Sequence, residues 1–477
     1  MRNWSVGLLL VLLAAVFAAI GVVYARRHRS TLEDYITARG SVGMLAAIVT
    51  LVASGMGGWI LFSPAEVATR GGLPAIIGYS LGAAAPLFAF IPLGRRLREL
   101  MPEGHTLTEY VWHRYGWSMY VFSLLVMLFY MFIYLAAEIT GMAFIVQLIA
   151  GDIPLWLTAA VVLSATLAYT AYGGLRASIF TDGLQALLIL PFLAALLIVG
   201  YMVLGGTQPS IAGLTERAPQ LIRLDYVPGI ETGITLIIAV LVANLFHQGY
   251  WQRVYAIRDP QTLRLAFVIA AVVSMPIILA MGLFGLAAVG LGRADTPSVA
   301  LFSVLLHAMP AWLGGGLVLL GLALVMSSAD TLFNGIASIV AVDLHRALPQ
   351  TSVSGLLQVS RVATVLIAFP VLWIAAQGYS VLYLFLIADL VCAAAVFPVF
   401  YGLYSTRYTG QIAICSTLAG LIAGGLLFPN PSFTRGNLLG AFVIAAVVPV
   451  VVSCVWRSRQ PAFDLTTLRQ RVHLLRE

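Results

Sequence analysis

The 477-residue chain contains no lysine: all 26 basic residues are arginine, and charged side chains of both signs make up only 9%. So little charge, alongside 61% hydrophobic residues, excludes a soluble domain, whose surface usually draws on about 25% charged residues. The three cysteines, Cys392, Cys415 and Cys454, lie in apolar stretches without CxxC spacing, which excludes a disulfide framework and a thiolate zinc site. No Walker loop, no GxGxxG after a strand and no HExxH pair occurs, so nucleotide binding and zinc hydrolysis find no support. The histidines at 28, 105, 113, 307, 345 and 473 stand singly near the ends of apolar runs. The expectation is therefore an integral membrane protein that is not an enzyme and does not bind nucleic acid.

Long apolar runs dominate what is present. Stretches of about 20 residues, enough to cross a bilayer as a helix, fall near 5–25, 42–66, 74–94, 119–150, 154–173, 184–205, 231–251, 264–290, 311–344, 357–377, 379–404, 410–428 and 436–456. This predicts an all-α protein with about thirteen transmembrane helices. Residues 5–25 read as a first span rather than a signal peptide, because the run is too long and Arg26, Arg27 and Arg29 follow it. With the N-terminus outside, twenty arginines fall on inner segments and six (Arg2, Arg70, Arg217, Arg223, Arg293, Arg435) on outer ones. That asymmetry matches the positive-inside rule and accounts for the net charge of +7. It predicts a multi-pass protein of the cytoplasmic (inner) membrane with a cytoplasmic C-terminus. Residues 101–118 read as a short amphipathic interfacial helix, 206–230 as a proline-bearing loop, and 457–477 as a basic tail on the anionic inner surface.

Three spans carry polarity where lipid cannot satisfy it. In the ninth, Ser327, Asp330, Thr331, Asn334 and Ser338 recur at helical spacing and share one face. Their oxygens are hard ligands suited to Na⁺-like cations, or they bond neighbouring helices. The second span has Gly55, Gly57 and Gly58 near its middle, and the seventh has Asn244, His247, Gln248 and Gly249. Two interrupted spans five apart suggest two structural repeats of opposite topology, with a binding site at the breaks. Glu138 and Asp389 are further acids at depth.

The segments 171–185 (AYGGLRASIFTDGLQ), 243–254 (ANLFHQGYWQRV) and 326–344 (MSSADTLFNGIASIVAVDL) resemble the sodium/solute symporter family, and 53–59 (ASGMGGW) is similar to the first core helix of its proline-permease branch. The likeness covers about residues 35–460. It implies a five-plus-five inverted-repeat core working by alternating access. On that pattern residues 1–30 hold a first peripheral helix, 40–205 core repeat 1, 230–405 core repeat 2, 406–456 two peripheral helices, and 457–477 the tail. The resemblance further implies a main Na⁺ site from the carbonyls of Ala53, Met56 and Leu324 and the hydroxyls of Ser327 and Ser328. A second cation site would use Asp182, Asp330 and Thr331, with Asp330 replacing a hydroxyl. Substrate would meet Trp59, Glu138, Asn244, His247 and Gln248, with His247 standing where sugar and proline members place a tyrosine gate. Gly55 replaces an Asp of the proline permeases, which speaks against proline as the solute. The stretch 102–116 resembles the urea/polyamine branch through its His-Thr pair.

The leading expectation is a Na⁺-coupled symporter importing a small polar organic solute, with Na⁺ as coupling ion and the lipid bilayer as its setting. The alternatives are a proton-coupled symporter and a transporter-like sensor acting with a separate signalling partner.

Overall fold

A computed structural model describes residues 3–28, 31–308, 313–430, 435–456 and 461–474. Arg2, Arg29, Arg457, Arg459 and Arg476 of the arginine pattern, and parts of the expected tail, lie outside these residues. The described chain is helical throughout: α1 (Asn3–Arg27), α2 (Leu32–Ile36), α3 (Met44–Gly55), α4 (Ser63–Leu100), α5 (Leu107–Tyr115), α6 (Trp117–Ala150), α7 (Leu155–Val203), α8 (Gln208–Arg217) and α9 (Val227–Asn244). There follow α10 (Gln248–Ala256), α11 (Pro260–Gly290), α12 (Ala300–Ala308), α13 (Leu313–Ala347), α14 (Val353–Gln377), α15 (Val381–Tyr401), α16 (Gly410–Gly425), α17 (Leu438–Val455) and α18 (Thr467–Arg471). Ten of the described helices are long and apolar enough to cross a membrane.

Two of the longest are each bent at one glycine. Gly72 in α4 has φ 64°, ψ −158°, and Gly174 in α7 has φ 57°, ψ −158°. Few L side chains tolerate this backbone. A Cβ at Gly72 would also strike the Leu221 backbone, and one at Gly174 would strike Tyr35. These bends fall where the sequence separates the second span from the third and the fifth from the sixth.

The outer surface explains the composition. On α14, Val362, Leu366, Phe369 and Trp373 are exposed while Leu356, Ser360, Thr364 and Ala375 are buried. A helix with its large apolar residues outward and its hydroxyls inward is turned inside out relative to a soluble one, because its solvent is lipid. At the other extreme α13 is buried on every face, packed among α6, α7, α14 and α3.

Two local expectations are corrected. Residues 206–230 are not simply a loop: they form α8 and a 3₁₀ turn at Pro219–Ile222. Pro209 sits in the first turn of α8, where its missing N–H costs nothing. Helix α12 occupies a stretch that was too short to register as a span. In the tail, Leu468 is buried and Phe463 lies under the guanidinium of Arg114, so this part packs on the protein.

Candidate functional site: two broken helices against α13

The first break begins where α3 ends at Gly55. Met56 (φ −100°, ψ 87°) and Gly57 (φ −85°, ψ −175°) run extended before a 3₁₀ turn at Gly58–Leu61 leads into α4. Extended residues inside a span leave backbone groups without helical partners, and the surrounding helices take them up. Glu138 of α6 accepts the Gly58 N–H through Oε2 at 2.7 Å. A carboxylate facing the first N–H groups of a turn is favoured by the local dipole as well as the bond. A Cβ at Gly57 would overlap the Glu138 carboxylate, so any larger residue there would have to displace it. On α13, Ser328 Oγ donates to the Ser54 carbonyl at 3.2 Å. The open end of α3 is thereby joined to the polar stripe.

The second break separates α9 from α10. Trp251 Nε1 donates to the freed Leu245 carbonyl at 2.8 Å, and His247 Nδ1 accepts the Gly249 N–H at 3.1 Å. That role places the ring proton on Nε2. His247 stands edge-on to Tyr134, Tyr130 and Tyr250, with ring centroids 5.5, 6.2 and 5.1 Å away. Tyr250 fills the space beside Gly55, where a Cβ would collide with its hydroxyl. A larger residue at that position would have to displace the Tyr250 hydroxyl.

The stripe on α13 is fully buried and divides into two functions. Ser327 Oγ donates to Asp182 Oδ1 of α7 at 2.5 Å. Because Ser327 and Ser328 both donate their protons away, their remaining lone pairs stay free for a cation. Each hydroxyl thus keeps acceptor capacity near the carbonyls at the end of α3, a group of hard, neutral oxygens. One turn on, the arrangement differs. Asp182 Oδ2 also accepts Thr50 Oγ1 at 2.5 Å and Arg253 Nη2 at 2.9 Å. The same Nη2 reaches Thr331 Oγ1 at 2.9 Å, and Arg253 Nε reaches Thr50 at 2.9 Å. A guanidinium therefore lies between Asp182 and Thr331, where the resemblance implied a second ion. Asp330 turns to α7 and accepts Tyr169 Oη (2.8 Å), Ser178 Oγ (2.7 Å) and Thr181 Oγ1 (3.1 Å), with Thr331 Oγ1 a longer donor at 3.3 Å.

Between the breaks lies a cavity of about 50 Å³, room for a few waters. Trp59 and Asn244 line it, as do Met56 and Asp389. Gln248 does not: its Nε2 donates to His105 O (3.0 Å) and its Oε1 accepts Leu107 N–H (3.2 Å). It seals the helix break to the start of α5. Glu138 caps the 3₁₀ turn instead of lining the cavity, and His247 stands behind the tyrosines.

The N-terminal end of α3 and the C-terminal end of α10 are also joined. The backbone on either side of Val42 bridges to that around Ile257, tying the two broken helices together. Above this tie Arg39 donates to the carbonyls of Pro102 (2.7 Å) and Gly104 (2.8 Å) and to Glu33 (2.9 Å). His105 is gripped from both sides, Nε2 to Glu33 at 2.8 Å and Nδ1 to Glu109 at 3.3 Å. Burial disfavours charge on His105, but Glu109 and Glu33 outweigh it and raise its pKa to about 9. Burial likewise pushes Glu33 up, yet His105, Arg39 and Thr37 hold it down to about 2.

The sign of the pH effect follows. The His105 contribution is whole below the ordinary value of 6.5 and is lost as pH rises through about 9. The Glu33 contribution is whole above the ordinary 4.5 and is lost as pH falls through about 2. The thermal midpoint of the purified protein should thus decline from pH 6.5 towards 9, and His105→Gln should flatten that decline. An equally steep alkaline decline in the variant would remove His105 as its cause.

Known proteins place this architecture. The sequence profile described as "Sodium:solute symporter family" matches residues 35–420. The chain belongs to the sodium:solute symporter family. This is a family of transporters rather than enzymes, with Na⁺-coupled solute symport as its activity. Among curated relatives, a spermidine transporter of Candida albicans is 27% identical over 92% of this chain and 86% of its own length. The sodium/pantothenate symporter of Escherichia coli is 26% identical over 88% of this chain and 89% of its own. A Na⁺-coupled sialic acid symporter in a substrate-bound outward-open state superposes with a TM-score of 0.74 at 19% identity, covering 95% of this chain and 97% of that one. At that identity the likeness shows the fold, which is the inverted-repeat core expected from the two broken helices.

What the sequence missed is Arg253, His105, Glu33 and Arg39 as working groups. The apolar pattern puts Arg253 on an inner segment just past the seventh span, whereas it is buried in α10 and paired with Asp182. Its place only five residues after Gln248, at the edge of a span where an unpaired guanidinium is untenable, was the available signal. That signal could have found it.

Proposed function

We propose that this protein is a Na⁺-coupled symporter that takes up a small polar organic solute by alternating access. Na⁺ would be held by the carbonyls of Ala53, Met56 and Leu324 with Ser327 and Ser328. The observation that carries this is the Ser328–Ser54 bond at 3.2 Å, which joins the open end of α3 to α13. An ion sharing those oxygens ties two elements that otherwise meet through few polar contacts, and so favours the shape that admits solute. Solute would enter the cavity beside Trp59 and Asn244, with His247 supporting the tyrosines that close it.

On this reading thirteen crossings form repeats over about 40–205 and 230–405, with residues 1–30 and 406–456 peripheral. The arginine-rich face is cytoplasmic, the N-terminus is outside and the membrane is the inner one. The clasp of Arg39, Glu33 and His105 is then the closed inner gate. Leu236, Leu382 and Leu386 line both the central cavity and a second one lined by Glu66 and Arg70, which marks the way in from outside. Arg253 would serve as a resident cation in place of a second Na⁺, making the coupling one Na⁺ per cycle. The relatives carry solutes as different as spermidine and pantothenate, so the solute is set by the cavity lining, not by the ion site.

Ser328→Ala should raise the Na⁺ concentration for half-maximal uptake in proteoliposomes by about tenfold. It should lower stability only by the ~1 kcal/mol of one neutral hydrogen bond. Unchanged Na⁺ activation in this variant would refute the ion site.

A further inference from the structure

Asp389 of α15 is 4% exposed and lines the cavity. Among the described residues lining that cavity it alone is a carboxylic acid. The other acids at this depth have partners: Asp182 has Arg253, Asp330 three close hydroxyls, Glu138 a backbone N–H on one of its two oxygens, and Glu66 has Ser380. None of the described hydrogen bonds or ion pairs reaches Asp389. A carboxyl group without a partner in a low-dielectric site holds its proton, and ionises only when something cationic arrives to pair with it.

The surrounding surface says which cation. The cavity is walled by Trp59, Tyr79, Tyr130, Tyr134, Tyr250 and Phe385. Trp59 lies 5.6 Å from Tyr79 and 6.4 Å from Phe385 between ring centroids, and Tyr134 lies 4.8 Å from Phe385. Na⁺ demands several close oxygens, and aromatic faces are poor replacements for its hydration shell. Rings that share a cavity lining with one carboxyl group suit an ammonium group carrying carbon, which is weakly hydrated and attracted to π faces within about 6 Å.

We propose that Asp389 and its aromatic surround recognise the ammonium group of a small organic cation, an aliphatic amine or quaternary ammonium. This rests on the cavity being the solute site. Asp389 forms the ion pair, the rings of Trp59 and Tyr134 cover the cation, and the ordinary oxygen set at Ser327 and Ser328 remains free for Na⁺. A site of this kind rejects neutral isosteres, because they leave the carboxylate unpaired.

The test uses the purified full chain, with binding read by thermal shift in Na⁺ and in K⁺. The probes are putrescine and choline, their neutral counterparts butanediol and dimethylbutanol, and the non-cationic solutes proline, urea and mannose. At least one ammonium probe should bind in a Na⁺-dependent manner while its neutral counterpart does not. Asp389→Asn should weaken that binding by on the order of 30-fold or more, and Asp389→Glu should keep part of it. The shift produced by Na⁺ alone should persist in Asp389→Asn, showing an intact fold and ion site. Na⁺-dependent binding of a neutral or zwitterionic probe that survives Asp389→Asn would overturn the inference and leave symport standing. Loss of the Na⁺-only shift in Asp389→Asn would overturn it too, by making Asp389 an ion ligand. No Na⁺ response from any probe, with Ser328→Ala indistinguishable from the parent, would bring down the symport reading itself.

Discussion

Replacing Arg253 with Met should destabilise the protein by about 3–5 kcal/mol, the cost of leaving a buried charge without its partner. Arg253 is 1% exposed and Asp182 0%, so water cannot compensate for the missing guanidinium. The charge has no other cation to turn to among its described contacts, which are the hydroxyls of Thr50 and Ser327. The double variant Arg253→Met, Asp182→Asn removes both charges and should recover most of the loss. The interaction energy between the two sites, measured by thermal unfolding of the four proteins of the cycle, should therefore be large and favourable. A simple sum of the single effects would show that the pair is not an energetic unit. The same variants test coupling. In Arg253→Met the space between Asp182 and Thr331 opens to a free ion, so raising Na⁺ should restore stability and steepen the Na⁺ dependence of uptake. In the double variant neither should happen.

The next largest effect is expected at the first break. Gly57→Ala places a methyl group on the Glu138 carboxylate and should reduce uptake by on the order of tenfold or more, since a misplaced site of about 1 Å costs that much or more. Glu138→Ala should also reduce uptake, because it strips the Gly58 N–H of its acceptor, and a buried orphan donor costs about 1–3 kcal/mol. Glu138→Gln keeps an oxygen acceptor and should be the mildest of the set. The informative variant is Gly57→Ala with Glu138→Ala, in which the collision disappears. Its uptake should exceed that of Gly57→Ala alone. If the double variant is worse than either single one, the two residues do not meet as the geometry requires.

The broken helices were legible because their signals are local. Three glycines in four residues weaken a helix where they stand, and Asn, His and Gln within one turn need partners that lipid cannot supply. The paired break suggested two repeats of opposite topology, and the resemblance to the symporter family supplied the five-plus-five core. The positions of the bends at Gly72 and Gly174 were likewise legible as the gaps between neighbouring apolar runs. The contents of the site were less so, for a physical reason. Polarity at depth is visible in a sequence, but its direction is not. Gln248 is polar and central, yet it faces the backbone of residues 105–107 rather than the cavity, and Asp389, which was not among the expected substrate residues, is the acid that lines it. Charge pairs across distant sequence are hidden in the same way. Arg253 finds Asp182 from 71 positions away, and His105 finds Glu33 from 72. Only the packing of α7 and α10 on the same two helices, α3 and α13, brings Arg253 and Asp182 together.

The Arg253–Asp182 pair also bears on how steep a gradient the carrier can sustain. A guanidinium bound to the chain swings with it but never leaves, so over a full cycle it moves no net charge. If a single Na⁺ is the only other ion, the membrane voltage does work on that ion and on any charge the solute brings. Each such charge is worth about 2.3 kcal/mol per 100 mV, roughly a 50-fold concentration ratio. A neutral solute would be limited to one such factor, whereas a singly charged amine would gain a second from its own charge. In this transporter, a fixed arginine would leave the solute itself to supply the voltage sensitivity that a second ion provides elsewhere.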